Sequence, residues 1–230
     1  MVSLFVLPYA VLIAVFWYLS NGFEKRMHDP KYVWSKTAPV FLLGLLTLFC
    51  SRLKKRDRIL SGVALLFGAV GDYLIGSSHD GIVPGAVVFG IGHILYLATF
   101  VHNMKRVWKP LLFSALLWGL FINYVCFFHK LDTHFRPITV LSIYSIILTT
   151  CFVSSGSIWF FSDKNEDNRP ALIRFIGYML FFASDSTLIL THEAYKVAYA
   201  EVIILTTYFS SQYLILLGTS LARDTKVRFE

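Results

Sequence analysis

The sequence predicts an all-α integral membrane protein, a bundle of eight transmembrane helices with both termini in the cytosol. Three observations predict it. The 230 residues are 56% hydrophobic and only 15% charged, whereas soluble domains are nearer one-quarter charged. Several uninterrupted apolar runs are long enough to cross a bilayer. The basic residues fall unevenly on the alternate connectors between those runs.

The spans follow in order as about 2–19, 34–50, 58–76, 82–101, 109–128, 136–160, 170–191 and 199–221. The first, "VSLFVLPYAVLIAVFWYLS", has no basic leader and no small-residue cleavage site, so it reads as a span and not a signal peptide. The remaining seven are set apart by short polar connectors, which brings neighbouring helices together antiparallel. So much of the chain lies in spans that 1–230 is expected to form one transmembrane domain.

Counting Lys and Arg by side gives six on one, with Lys25, Arg26 and Lys31 among them. The other side has thirteen, with the "RLKKRDR" connector, Lys164, Arg223, Lys226 and Arg228 among them. The positive side stays cytosolic, which places both ends of the chain there. The net charge of +7 therefore reads as topology signal and contact with anionic lipid headgroups, and no nucleic acid is expected as a partner. Cys50, Cys126 and Cys151 are scattered in or beside apolar runs and suggest neither a disulfide framework nor a zinc site.

Ionisable residues inside spans are costly and usually face a bundle interior or a wet cavity. Asp72 lies in "ILSGVALLFGAVGDYLIG", where Gly62, Gly68, Ala69 and Gly71 allow helices to approach closely. Asp185 lies in "FFASDSTLIL", where Ser184, Ser186 and Thr187 are expected as its hydrogen-bond partners. By helical rise both carboxylates fall about 7 Å to the outer side of the midplane, and Lys36 reaches a similar level.

Further polar groups accompany them. His93 and Tyr96 share a face of the fourth span in "GIGHILYLATF". Tyr208 and Gln212 share a face of the eighth in "TTYFSSQYLILLG". Tyr144 reads as an ordinary buried, hydrogen-bonded phenol and Pro39 as a kink. No HxxxH or HExxH pattern points to a metal, and no P-loop or GxGxxG cradle points to a nucleotide, so no cofactor is expected.

Two carboxylates in a low-dielectric pocket divide acid and base work between them. Such a pair suits bonds that break through an oxocarbenium-like cation. A serine hydrolase is unsupported, for there is no GxSxG elbow. An intramembrane aspartyl protease fits poorly, because Ala69 replaces the first glycine of GxGD and the order of the two aspartates is reversed. A proton- or cation-coupled transporter would use the same carboxylates as relays, although no inverted repeat is evident.

The ordered set "WSKTAPVFLL", "GDYLIG", "GHILY", "FFASDSTLIL" and "TTYFSSQYLILLG" resembles the YhhN-like lysoplasmalogenase family along nearly the whole chain. The resemblance implies an eight-helix ether hydrolase of the endoplasmic reticulum. Its substrate would be a lysophospholipid with a 1-alkenyl chain, its co-substrate water and its surroundings membrane lipid. It implies Asp72 and Asp185 as catalytic residues. Lys36, His93, Tyr96, Tyr208 and Gln212 are then expected to bind substrate. "SSQYLIL" departs from the family form, in which an alanine commonly precedes the glutamine.

Overall fold

A computed structural model describes residues 2–24, 29–162 and 167–227, with side chains to residue 222. Of the basic residues counted for topology, Lys25, Arg26, Lys164 and Arg228 lie outside the described residues. The described chain is all helical, with eight helices long and apolar enough to cross a membrane. It divides into two compact units, the first made of the residues up to Phe100 with those from Thr219 on, the second of Val101–Gly218.

The first unit opens with a single 3-10 turn, Val2–Phe5, that runs into α1 (Val6–Leu19). α1 ends where Ser20 donates to the Phe16 carbonyl at 2.6 Å and accepts from the Phe23 amide at 3.0 Å. Asn21, Gly22 and Phe23 then take positive φ in succession. Such a run is strained for Asn and Phe. Burial of Phe23 against Phe16, which also packs on Tyr32, offsets that strain.

α2 (Pro30–Cys50) begins four residues before the expected Trp34. Asp29 caps it by accepting from the Lys31 amide at 2.9 Å, and Pro30 sits where its missing N–H costs nothing. The hydropathy pattern could not mark that start, since capping is polar chemistry outside the apolar run. α3 (Lys55–Ser77) packs on both α2 and α4 (Ile82–Phe100).

The buried face of α3 is mostly small: Ser61, Gly62, Ala64, Gly68, Ala69, Gly71 and Gly76 surround Asp72 and Leu65. Contact there is close. A Cβ on Gly71 would stand 2.5 Å from the Phe89 ring, and one on Gly92 would stand 3.0 Å from the Ala64 carbonyl oxygen. Small residues let helix backbones approach where no hydrophobic effect drives association. The same approach shuts Asp72 inside.

The second unit holds α5 (Lys109–Phe127), α6 (Phe135–Phe160), α7 (Arg169–Glu193) and α8 (Ala200–Val227) through Gly218. α6 and α7 are joined by stacked rings, Phe152 on Phe182 at 5.0 Å and Trp159 on Phe175 at 5.4 Å. α7 and α8 meet at Gly177, where a Cβ would stand 2.9 Å from the Ile215 backbone nitrogen. At the end of α7, Lys130 donates to the Glu193 carboxylate at 2.7 Å and to its carbonyl at 3.1 Å. A cation there complements the helix dipole. Leu117, Leu120, Phe135 and Ile146 are exposed, as residues facing lipid are.

Candidate functional site

Asp72 is 2% exposed, held in the small-residue face of α3. Lys36 reaches it from α2, with Nζ 3.8 Å from Oδ1. The expectation that these two residues lie at one depth is met by that contact. At 3.8 Å the ammonium matches the charge without forming a short hydrogen bond, so its donors can also serve another acceptor. His93 and Tyr96, one turn apart on α4, are both buried in the same unit. Tyr96 Oη makes no hydrogen bond to any described residue. A buried hydroxyl left unsatisfied is costly, which suits it to donate to a substrate oxygen.

Sequence reading missed one member of this set. Tyr9, from α1, is buried and interacts electrostatically with both Asp72 and Tyr96. The only sequence signal was a phenol in the middle of "LPYAVL". Tyrosine is common enough in apolar spans that this alone marks nothing. The first unit therefore gathers a phenol from α1, an ammonium from α2, a carboxylate from α3, and a phenol and an imidazole from α4.

In the second unit Asp185 accepts a hydrogen bond on Oδ2 from the Tyr144 hydroxyl of α6. The expectation that Ser184 and Thr187 would donate to Asp185 is not met. Each hydroxyl has one proton, and both are committed to carbonyls: Ser184 donates to Ile204 of α8 at 3.0 Å, and Thr187 to Ala183 at 2.9 Å. The Ser186 oxygen instead receives the Trp118 indole N–H of α5 at 2.9 Å. Three consecutive residues of α7 are thus tied to three different helices.

Tyr208 and Gln212 are buried one turn apart on α8, as their spacing implies. Tyr208 packs edge-on against Phe181 with ring centroids 5.6 Å apart. Gln212 Oε1 accepts no hydrogen bond from any described residue and is suited to take one from a water or a hydroxyl. Among the described residues no group of His, Cys, Asp and Glu is arranged to hold a metal ion.

The chain is 27% identical over 202 residues to lysoplasmalogenase TMEM86A of Bos taurus, a match that covers 82% of this chain and 78% of the bovine protein. No solved structure matches it. The YhhN family model matches residues 31–219, a stretch that carries Lys36, Asp72, His93, Tyr96, Tyr144, Asp185, Tyr208 and Gln212 and leaves out only Tyr9, and the chain belongs to the YhhN family.

Proposed function

We propose that this membrane protein is a lysoplasmalogenase that hydrolyses the vinyl ether of 1-alkenyl-glycerophosphoethanolamine or -choline to a fatty aldehyde and the glycerophospho-headgroup. The activity named for the bovine relative supports the substrate class. The observation that carries the chemistry is a buried, ion-paired carboxylate, Asp72 with Lys36, inside a membrane-spanning helix. Such a group is expensive to keep in lipid and is usually functional.

The reaction needs a carboxylic acid and a carboxylate, and Asp72 and Asp185 are proposed for these tasks. The acid protonates the alkenyl β-carbon and leaves an oxocarbenium ion at the α-carbon. The carboxylate stabilises that cation and orients the attacking water. The hemiacetal then collapses to aldehyde and alcohol. Lys36 is proposed to hold the substrate phosphate, and His93, Tyr96, Tyr208 and Gln212 to position water or glycerol oxygen. An endoplasmic-reticulum location with cytosolic termini belongs to the same reading, the termini by the basic-residue count.

Purified protein in detergent, given a 1-alkenyl lysolipid, should release aldehyde. Asp72→Asn and Asp185→Asn should each lower that release by about 100-fold or more, the scale of general acid–base catalysis. Undiminished release from both variants, folded and extracted normally, would reject the mechanism. A transporter built on the same carboxylates would release nothing in detergent and would show activity only in sealed vesicles.

A further inference from the structure

We infer that the second unit carries a binding site for an anionic glycerophospholipid, placed where α5 begins and α6 ends. Arg106 and Lys109 take the negative charge of the headgroup, and an aromatic wall with Trp108 and Phe160 takes its apolar part. The inference stands apart from the hydrolysis reading and uses none of its residues.

A cavity of about 580 Å³ opens at this end of the second unit, a size usual for small-ligand sites. Arg106 and Lys109 line it beside Trp108, Phe160 and Phe161, and among the described residues no carboxylate does. Both cations are exposed, and neither forms an ion pair with a described residue. Lys36 and Lys130, by contrast, are matched to Asp72 and Glu193. Positive charge without a partner, set beside aromatic rings, is complementary to an anion that carries hydrocarbon.

The wall is in place before any ligand arrives. The Trp108 amide donates to Ser157 Oγ at 2.9 Å, and the Ser157 hydroxyl donates to the Val153 carbonyl at 2.7 Å. These bonds fasten the connector to α6. The Trp108 ring lies flat on Phe160, with centroids 4.4 Å apart and planes within 6°, and meets Phe175 of α7 edge-on at 6.4 Å. A preformed site loses less freedom on binding than one that must be assembled.

Position decides between a lipid and a free phosphate. The cavity sits where two candidate membrane spans, Lys109–Lys130 and Phe135–Phe160, have adjacent ends. Spans end at headgroup level, where tryptophan concentrates. Val107 and Phe160 are 40% and 50% exposed and extend the lining as apolar surface. A free phosphate leaves that surface in water, whereas the glycerol and acyl chains of a lipid cover it. The connector also belongs to the side that the Lys and Arg count assigns to the cytosol, whose leaflet holds the anionic lipids.

Native mass spectrometry of the purified full chain in detergent tests the site, with dioleoyl phosphatidylserine and dioleoyl phosphatidylcholine as probes. Wild type should bind phosphatidylserine more tightly than phosphatidylcholine. Arg106→Gln should weaken phosphatidylserine by about fivefold and Arg106→Gln/Lys109→Gln by about 25-fold, the worth of one and two cations at an anionic surface. Phosphatidylcholine should bind all the variants alike. Lys54→Gln/Lys55→Gln removes the same charge from exposed positions in the first unit and should leave phosphatidylserine binding unchanged. Sodium phosphate, compared with sodium chloride at equal ionic strength, should displace no lipid. The inference is overturned if wild type binds the two lipids alike, if the double variant keeps its phosphatidylserine, or if phosphatidylcholine is lost in parallel. An equal loss in Lys54→Gln/Lys55→Gln would overturn it as diffuse attraction, and displacement by inorganic phosphate would overturn it as a site for a free anion.

Discussion

Asp72 and Asp185 each lie in the C-terminal third of a membrane-spanning helix, yet the two units accommodate them by different physics. Asp72 is sealed behind glycines and alanines and meets an opposite charge. Asp185 is half-buried, meets a phenol, and is flanked by two serines committed to other helices. A desolvated ion pair is stable only while both members remain, since either alone is an uncompensated charge. Removing the Tyr144 hydroxyl takes one hydrogen bond from Asp185 and no countercharge. The first arrangement is brittle and the second is graded.

The largest effect should therefore come from Lys36→Met, which leaves Asp72 buried without its cation. Breaking a buried pair costs about 3–5 kcal/mol, against about 0.5–1.5 kcal/mol for one ordinary hydrogen bond. Thermal unfolding in detergent should show a severe loss for Lys36→Met and a much smaller one for Tyr144→Phe. The double variant Lys36→Met/Asp72→Leu should regain most of the stability, because apolar residues commonly replace a buried pair at no cost. Equal losses for Lys36→Met and Tyr144→Phe would erase the contrast between the two units.

Glycine substitutions test the same contrast one step down in size. Gly71→Ala puts a methyl 2.5 Å from the ring of Phe89, itself buried, and overpacking of this kind costs about 1–3 kcal/mol. At Gly119 in α5, by comparison, no heavy atom lies within 4 Å of the new Cβ. There alanine only improves helix propensity, by up to about 1 kcal/mol. The melting temperatures should move in opposite directions. If both fall, the open face of α5 is tighter than its surroundings imply.

How much of this was legible in the sequence differs along the same line. Eight spans and the two aspartates were plain, because long apolar runs and isolated charges stand out against their neighbours. Helical rise put Lys36 at the level of Asp72, and the 3.8 Å contact agrees. The start of α2 was not legible, since it is set by the Asp29 cap and not by hydropathy. Tyr9 gives no signal in the sequence, and Tyr144 reads there as a generic phenol, for one reason. An aromatic side chain with one polar atom looks apolar in any one-dimensional profile, and its partner is decided by packing between helices distant in sequence. The serines around Asp185 misled in the opposite sense. Adjacency on a helix suggested that they serve the carboxylate, whereas neighbouring residues point about 100° apart and found other helices.

The smallest of the tested effects belongs to Trp118, and it asks whether the graded arrangement is additive. Trp118→Phe removes the indole N–H that reaches Ser186 at 2.9 Å and keeps an aromatic ring beside Phe121. Hydrogen bonds between membrane helices average about 0.6 kcal/mol, so the stability loss should be near that figure. Asp185 keeps its own partner in this variant. Aldehyde release should accordingly fall by less than in Tyr144→Phe. Combined with Tyr144→Phe, the two losses should add within about 0.5 kcal/mol if the ties act separately. A combined loss well beyond the sum would mean that Ser184, Asp185 and Ser186 are held as one cooperative mount. The second unit would then be as brittle as the first, by hydrogen bonding in place of charge.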